Sequence, residues 1–81
     1  MKRRIVEVGW VDSMSSRGWR SETETREMFE HEPILTSVGY LYGRDKKKIA
    51  LVGSIDPQSP PNYNQYHEIP MSAVKFIRKI K

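Results

Sequence analysis

Residues 34 to 55, ILTSVGYLYGRDKKKIALVGSI, decide the fold. Two runs rich in β-branched and aromatic residues, 34 to 43 and 48 to 55, flank the charged tetrapeptide RDKK. Such side chains suit a pleated, half-buried surface, and a short charged break between two of these runs fits a turn. The stretch is predicted to be an antiparallel hairpin with a charged tip.

Working towards the N-terminus, residues 3 to 12 (RRIVEVGWVD) place Val6, Val8 and Trp10 on one face and Ile5, Glu7, Gly9 and Val11 on the other, which predicts a first strand. After the loop SMSSRG, Ser21 and Glu24 have the S-x-x-E spacing of a capping box, so a helix starts there. Glu22/Arg26 and Arg26/Glu30 are spaced i,i+4 and Met28 and Phe29 form a narrow apolar edge. Pro33 stops the helix by Glu32, because a residue before proline avoids the α region. This short helix is expected to cover one side of the domain.

Towards the C-terminus, residues 56 to 65 (DPQSPPNYNQ) are expected to form a long loop. A strand follows at 66 to 69, then a break at Pro70 and a single 3₁₀ turn at 71 to 73. The β-branched and aromatic run from 74 to 80 reads as a last strand, while the spacing of Ile77 and Ile80 keeps a helix as the alternative.

Together these elements predict a mainly β (α+β) domain of five short strands with one helix inserted after the first. The I-P-x-x-x-V turn before the last strand resembles that of a small SH3-like barrel, and a partly open sheet packed on one helix is the alternative. Eighty-one residues make one domain, since so short a chain buries only about 60 to 65% of its unfolded surface and cannot divide it between two cores.

The absence of cysteine excludes disulfides, thiolate metal sites and cysteine nucleophiles, and fits a reducing compartment. No apolar run approaches the ~18 to 20 residues of a membrane span, and the charged start does not read as a signal peptide, so the cytosol is the expected location. The net charge of +4 is unevenly spread. Glu22, Glu24, Glu27, Glu30 and Glu32 crowd one stretch, whereas basic clusters at 2 to 4, 44 to 48 and 75 to 81 suit phosphates or simply aid solubility.

The segment WVDSMSSRGWR, residues 10 to 20, gathers Asp12, Ser13, Ser15, Ser16, Arg17, Arg20 and two tryptophans around Gly18. Hydroxyls and guanidinium groups hold phosphate or ribose oxygens, a carboxylate accepts from a base or sugar, and Trp19 offers a stacking face. The same residues also suit a tight self-bonded loop, with Trp10 as a core anchor in either case. Tyr40 and Tyr42, two apart on one strand, are candidate stacking plates, and residues 62 to 66 add Tyr63 within a cluster of amides and phenols. For catalysis the sequence offers little: there is no G-x-S-x-G elbow, no Walker loop and no G-x-G-x-x-G, and His31 and His67 lack paired ligand spacing.

In WVDSMSSRGW, SVGYLYG and IPMSAVKFIRKI the chain resembles a group of small proteins encoded by tailed phages and prophages. Its members share a W-V-D-S-x-S-x-x-G-W loop, an S-V-G-Y-L strand and an I-P-x-x-x-I-x-x-I-R ending. The likeness covers most of the chain apart from the helix and residues 56 to 65, and implies a viral origin without an assigned activity. Small phage proteins of this kind include inhibitors of host defence that hide a nucleotide signal. By analogy, the expected function is a non-enzymatic, cofactor-free homo-oligomer sequestering a cyclic nucleotide between subunits. Asp12, Ser13, Ser15, Arg17 and Trp19 would line the pocket and Tyr40, Tyr42 or Tyr63 would stack. The alternative is a basic module that binds nucleic acid or a host protein through Lys2, Arg3, Arg4, Arg44, Lys46, Lys47 and Lys48.

Overall fold

A computed structural model describes residues 3–12, 17–31 and 33–80. The hairpin forms as predicted from β2 (Leu35–Arg44) and β3 (Lys48–Val52). At its tip the Asp45 carboxylate accepts from the backbone N–H groups of Lys47 and Lys48 at 2.8 and 2.9 Å, closing the turn. On the other side of β2 lies β1 (Ile5–Trp10), and β1 pairs in turn with the C-terminal strand, which settles that segment as β rather than helix.

The predicted loop at 56 to 65 is instead largely a second, small hairpin. The run from 48 breaks at Gly53, and β4 (Ser54–Asp56) pairs with β5 (Asn62–Asn64) as a separate two-stranded sheet. Its prolines, at 57, 60 and 61, all lie in the tip, where no ladder hydrogen bond is needed from them. After β6 (His67–Pro70) comes the 3₁₀ turn Met71–Ala73, followed by β7 (Val74–Ile80). Seven strands therefore replace the five expected, five of them in the main antiparallel sheet with order β6-β3-β2-β1-β7.

That order forces the sheet to curl. Four strand spacings would set flat edges about 19 Å apart, yet β6 and β7 are joined by one 3₁₀ turn of three residues rising about 2 Å each. Backbone bonds hold the turn at both edges: Met71 N–H donates to the Lys47 carbonyl at 2.8 Å and Val11 N–H to the Ala73 carbonyl at 2.9 Å. The result is a partly open sheet, not a closed barrel. Its concave face carries the core of Val6, Val8, Ile49, Leu51 and Ile69, with Trp10, Leu41, Met71, Val74 and Ile77 packed around it.

Helix α1 (Glu22–Glu30) has the capping box read from the sequence. The Ser21 hydroxyl accepts from Glu24 N–H at 3.1 Å, and the Glu24 side chain returns to the Ser21 backbone. It ends earlier than Pro33 requires, with His31 as its C-cap. The expectation that it covers one side of the domain is overturned: none of its residues is buried and Phe29 is 89% exposed. A two-residue apolar edge on a helix of net charge −3 removes too little surface from water to hold it against the sheet.

Candidate functional site

Paired residues of neighbouring strands point to the same face, so the register divides the sheet. The convex, outer face carries Ile5 and Glu7 of β1, Val38 and Tyr40 of β2, Lys48, Ala50 and Val52 of β3, and Glu68 of β6. A bulge between Leu41 and Gly43 sets Tyr42 beside this face near Ala50. Bulges commonly re-aim a side chain in this way.

Tyr42 is the centre of a tyrosine cluster. Its ring meets the edge of Tyr63 at 5.1 Å and of Tyr66 at 6.4 Å, both near-perpendicular. Arg3 fastens the group: its guanidinium lies 4.7 Å over Tyr42 and 5.5 Å over Tyr63, donates to the Tyr42 carbonyl at 2.7 Å and reaches the Tyr63 hydroxyl at 3.3 Å. The small hairpin is thereby drawn onto the sheet. One buried nitrogen, Arg3 Nε, has no hydrogen-bond partner.

Beside this cluster opens a cleft of about 250 Å³ lined by Tyr42, Gly43, Arg44, Asp45, Lys48, Ala50 and Tyr66. Tyr66 donates to Glu68 at 2.7 Å, and Glu68 holds Lys48 at 3.4 Å. The Tyr66 hydrogen bond, helped by Lys48, holds the Glu68 carboxyl below its ordinary range, while Glu68 raises both the Tyr66 phenol and the Lys48 ammonium. Asp45 is lowered by the backbone N–H groups of Lys47 and then Lys48. Around neutral pH the cleft thus has a charged Lys48 partly balanced by Glu68, together with Arg44, which has no ion-pair partner among the described residues. Two accessible phenol rings beside an ammonium and a guanidinium can stack a planar ring and hold an anionic group attached to it.

The sequence-derived site residues do not converge. Asp12 lies in a different cleft, of about 450 Å³, with Trp10, Pro70, Ser72 and Lys75. Ser13, Ser15 and Ser16 lie outside the described residues. Arg17 and Trp19 are exposed, Trp19 completely so. Arg20 stands 3.9 Å from Glu24 on the helix, beside Met28 and His31. Tyr40 is half-buried opposite Val52, and Tyr42 and Tyr63 are in edge-on ring contact with each other. Trp10 does anchor the sheet, with Nε1 donating to Ser37 at 2.9 Å and its ring edge-on to His67 at 5.6 Å. The Tyr66–Glu68–Lys48 chain went unrecognised, although Tyr66 and Glu68 stand two apart and so share a strand face.

Among the described residues no three His, Asp or Glu side chains gather as metal ligands, and no helix is long and apolar enough to cross a membrane. Comparison of the chain with family models, curated proteins and solved structures gives no match.

Proposed function

We infer that the protein is a non-enzymatic binding protein whose ligand is a nucleotide, held in the cleft that Tyr42 and Tyr66 line. The observation that carries this reading is the convergence of two accessible phenol rings with Arg44 and Lys48. A base stacks on a ring while its phosphate meets the two cations. The cleft, at about 250 Å³, lies just below the ordinary size range for small-molecule sites of about 300 to 1,000 Å³. It takes one base with its phosphate, and the remainder of a larger ligand extends over the rim. Joined to the resemblance to phage-encoded proteins, this makes the ligand a cyclic nucleotide of host defence, sequestered and not degraded.

Thermal shift against a panel of cyclic di- and trinucleotides and cyclic ADP-ribose species tests the reading. At least one ligand is expected to raise the melting temperature and to be recovered unmodified after denaturation. Because base–aromatic stacking is worth ~1 to 3 kcal/mol, Tyr42→Ala should weaken binding roughly 5- to 150-fold. No shift with any member overturns the proposal.

The exposed Arg44, Lys46 and Lys47 at the hairpin tip favour a second reading, contact with the phosphates of a nucleic acid. Binding to long DNA or RNA would then fall steeply with salt, by about one unit of logarithmic slope per phosphate contacted. A nucleotide cleft responds far less.

A further inference from the structure

The chain exposes more surface than its mass calls for. Its accessible area is 6748 Å², against about 5,000 Å² for a folded monomer of this size, an excess of about 1,700 Å². Its radius of gyration is 16.6 Å, where a compact chain of 81 residues has about 12 Å. Two features contribute. Helix α1 projects with Phe29 bare and Trp19 fully exposed just before it. On the outer sheet face Ile5 of β1 and Ile80 of β7 are exposed opposite each other, and Val38 of β2 is exposed diagonally from Ile5, opposite Glu7.

We propose that these two surfaces cover each other between two copies of this chain, the helix of each protomer lying on the outer sheet face of the other. The apolar patch spans three strands, about 10 Å, and a nine-residue helix is about 14 Å long, so one helix covers it. Net charge favours contact between the helix and the rest of a second copy. The helix carries four glutamates against one arginine, whereas the rest of the chain holds thirteen basic and six acidic residues. Strand β7, at the sheet edge beside the patch, places one basic residue, Arg78, on the outer face, where Glu7 of β1 holds it at 3.1 Å. Reciprocal docking uses each surface twice and closes with two-fold symmetry. The whole-chain excess of about 1,700 Å² is larger than the roughly 800 Å² per partner that a standard specific interface buries. The proposal stands apart from the nucleotide reading, since neither surface contains Tyr42 or Tyr66.

Sedimentation and a disulfide trap test it. The wild-type chain is expected to be a dimer at about 10 to 100 µM, and Phe29→Ala and Val38→Asp are each expected to weaken it roughly tenfold or more, as truncation of a central anchor does. Both side chains are exposed, so an unchanged far-ultraviolet spectrum checks that the monomer folds. Salt should weaken the dimer as well. The chain has no cysteine, so a Phe29→Cys/Val38→Cys double variant reports one geometry: oxidation should give a covalent dimer. A disulfide within one chain, or no disulfide, overturns the proposal. So does a dimer unaffected by either single substitution. A monomeric wild-type chain also overturns it and leaves both surfaces to a partner of different sequence. Nucleotide binding is read separately by thermal shift, so either proposal can fail without the other.

Discussion

The two ends of the outer sheet face are covered in different ways. At one end the β4–β5 hairpin returns onto the sheet, bringing Tyr63 against Tyr42 under the guanidinium of Arg3. At the other, Ile5, Val38 and Ile80 stay open, and helix α1 stands away with Phe29 exposed. A hairpin whose tip is made of prolines and whose rings interlock can cover a face from within its own chain. A highly charged helix with a two-residue apolar edge cannot, and both its edge and the sheet residues stay exposed.

Both ends rest on the same concave core, so a core truncation should disturb them together and give the largest effect. Ile69 is fully buried in that core. Ile69→Ala is expected to cost about 2 to 5 kcal/mol, read as a fall in the denaturant midpoint with little change in slope. Trp10 reports the transition in a Trp19→Phe background, since Trp10 packs on the core and Trp19 is solvated. If the midpoint barely moves, the packing assigned to β3 and β6 is wrong.

A smaller, one-sided effect should follow from Arg3→Ala. The guanidinium donates to the Leu41 and Tyr42 carbonyls and reaches Tyr63 across the chain, whereas at the other end the Arg78–Glu7 pair, at 3.1 Å, joins only the neighbouring strands β7 and β1. Loss of hydrogen bonds from a charged donor costs about 1.5 to 3 kcal/mol, offset in part because the unpartnered Arg3 Nε disappears too. Faster proteolysis within residues 54 to 64, with the dimer of the wild-type chain retained, would sharpen the contrast. Equal loosening at Val38 would break it.

The parts of this fold legible in the sequence are those fixed by neighbours along the chain. The β2–β3 hairpin, the Ser21–Glu24 box and the turn at 71 to 73 each depend on residues within a few positions, and each was read correctly. Residues 62 to 64 look like loop in the sequence because three prolines crowd the segment, yet all three prolines fall outside the ladder. In the sequence Arg3 is only one member of a basic cluster, because its partners lie 38 to 60 positions away, where no local pattern announces them. Of the candidate site, Tyr42 and Tyr63 were legible as aromatic residues on strand and loop. What sets Tyr42 against Tyr63 and on the wall of the cleft is a bulge in β2, which shifts one residue's direction without any signature in its composition.

The smallest predicted effect separates the two ends by pH. Glu68 is held below the ordinary carboxylate range by Tyr66 and Lys48, and Asp45 by two backbone N–H groups. A carboxylate lowered on folding contributes stability that is present above its unfolded value, ~4, and lost as pH falls through the folded value. Acidification below about pH 4 should therefore loosen the β2–β3 tip and the Tyr66 side of the cleft. In the alkaline direction the sign reverses. Tyr66 and Lys48 are raised, so their contribution is full below ~10 and is lost as pH climbs through the folded values. All four groups are solvent-exposed, so the change is a small local one. A Glu68→Gln chain should lose most of the acid response around Tyr66 while keeping that of Asp45, measured by side-chain NMR titration. If Tyr66 in that variant titrates as it does in the wild-type chain, the Tyr66–Glu68 hydrogen bond does not hold the cleft in solution, and the bonded end of the face would be no better fixed than the bare one.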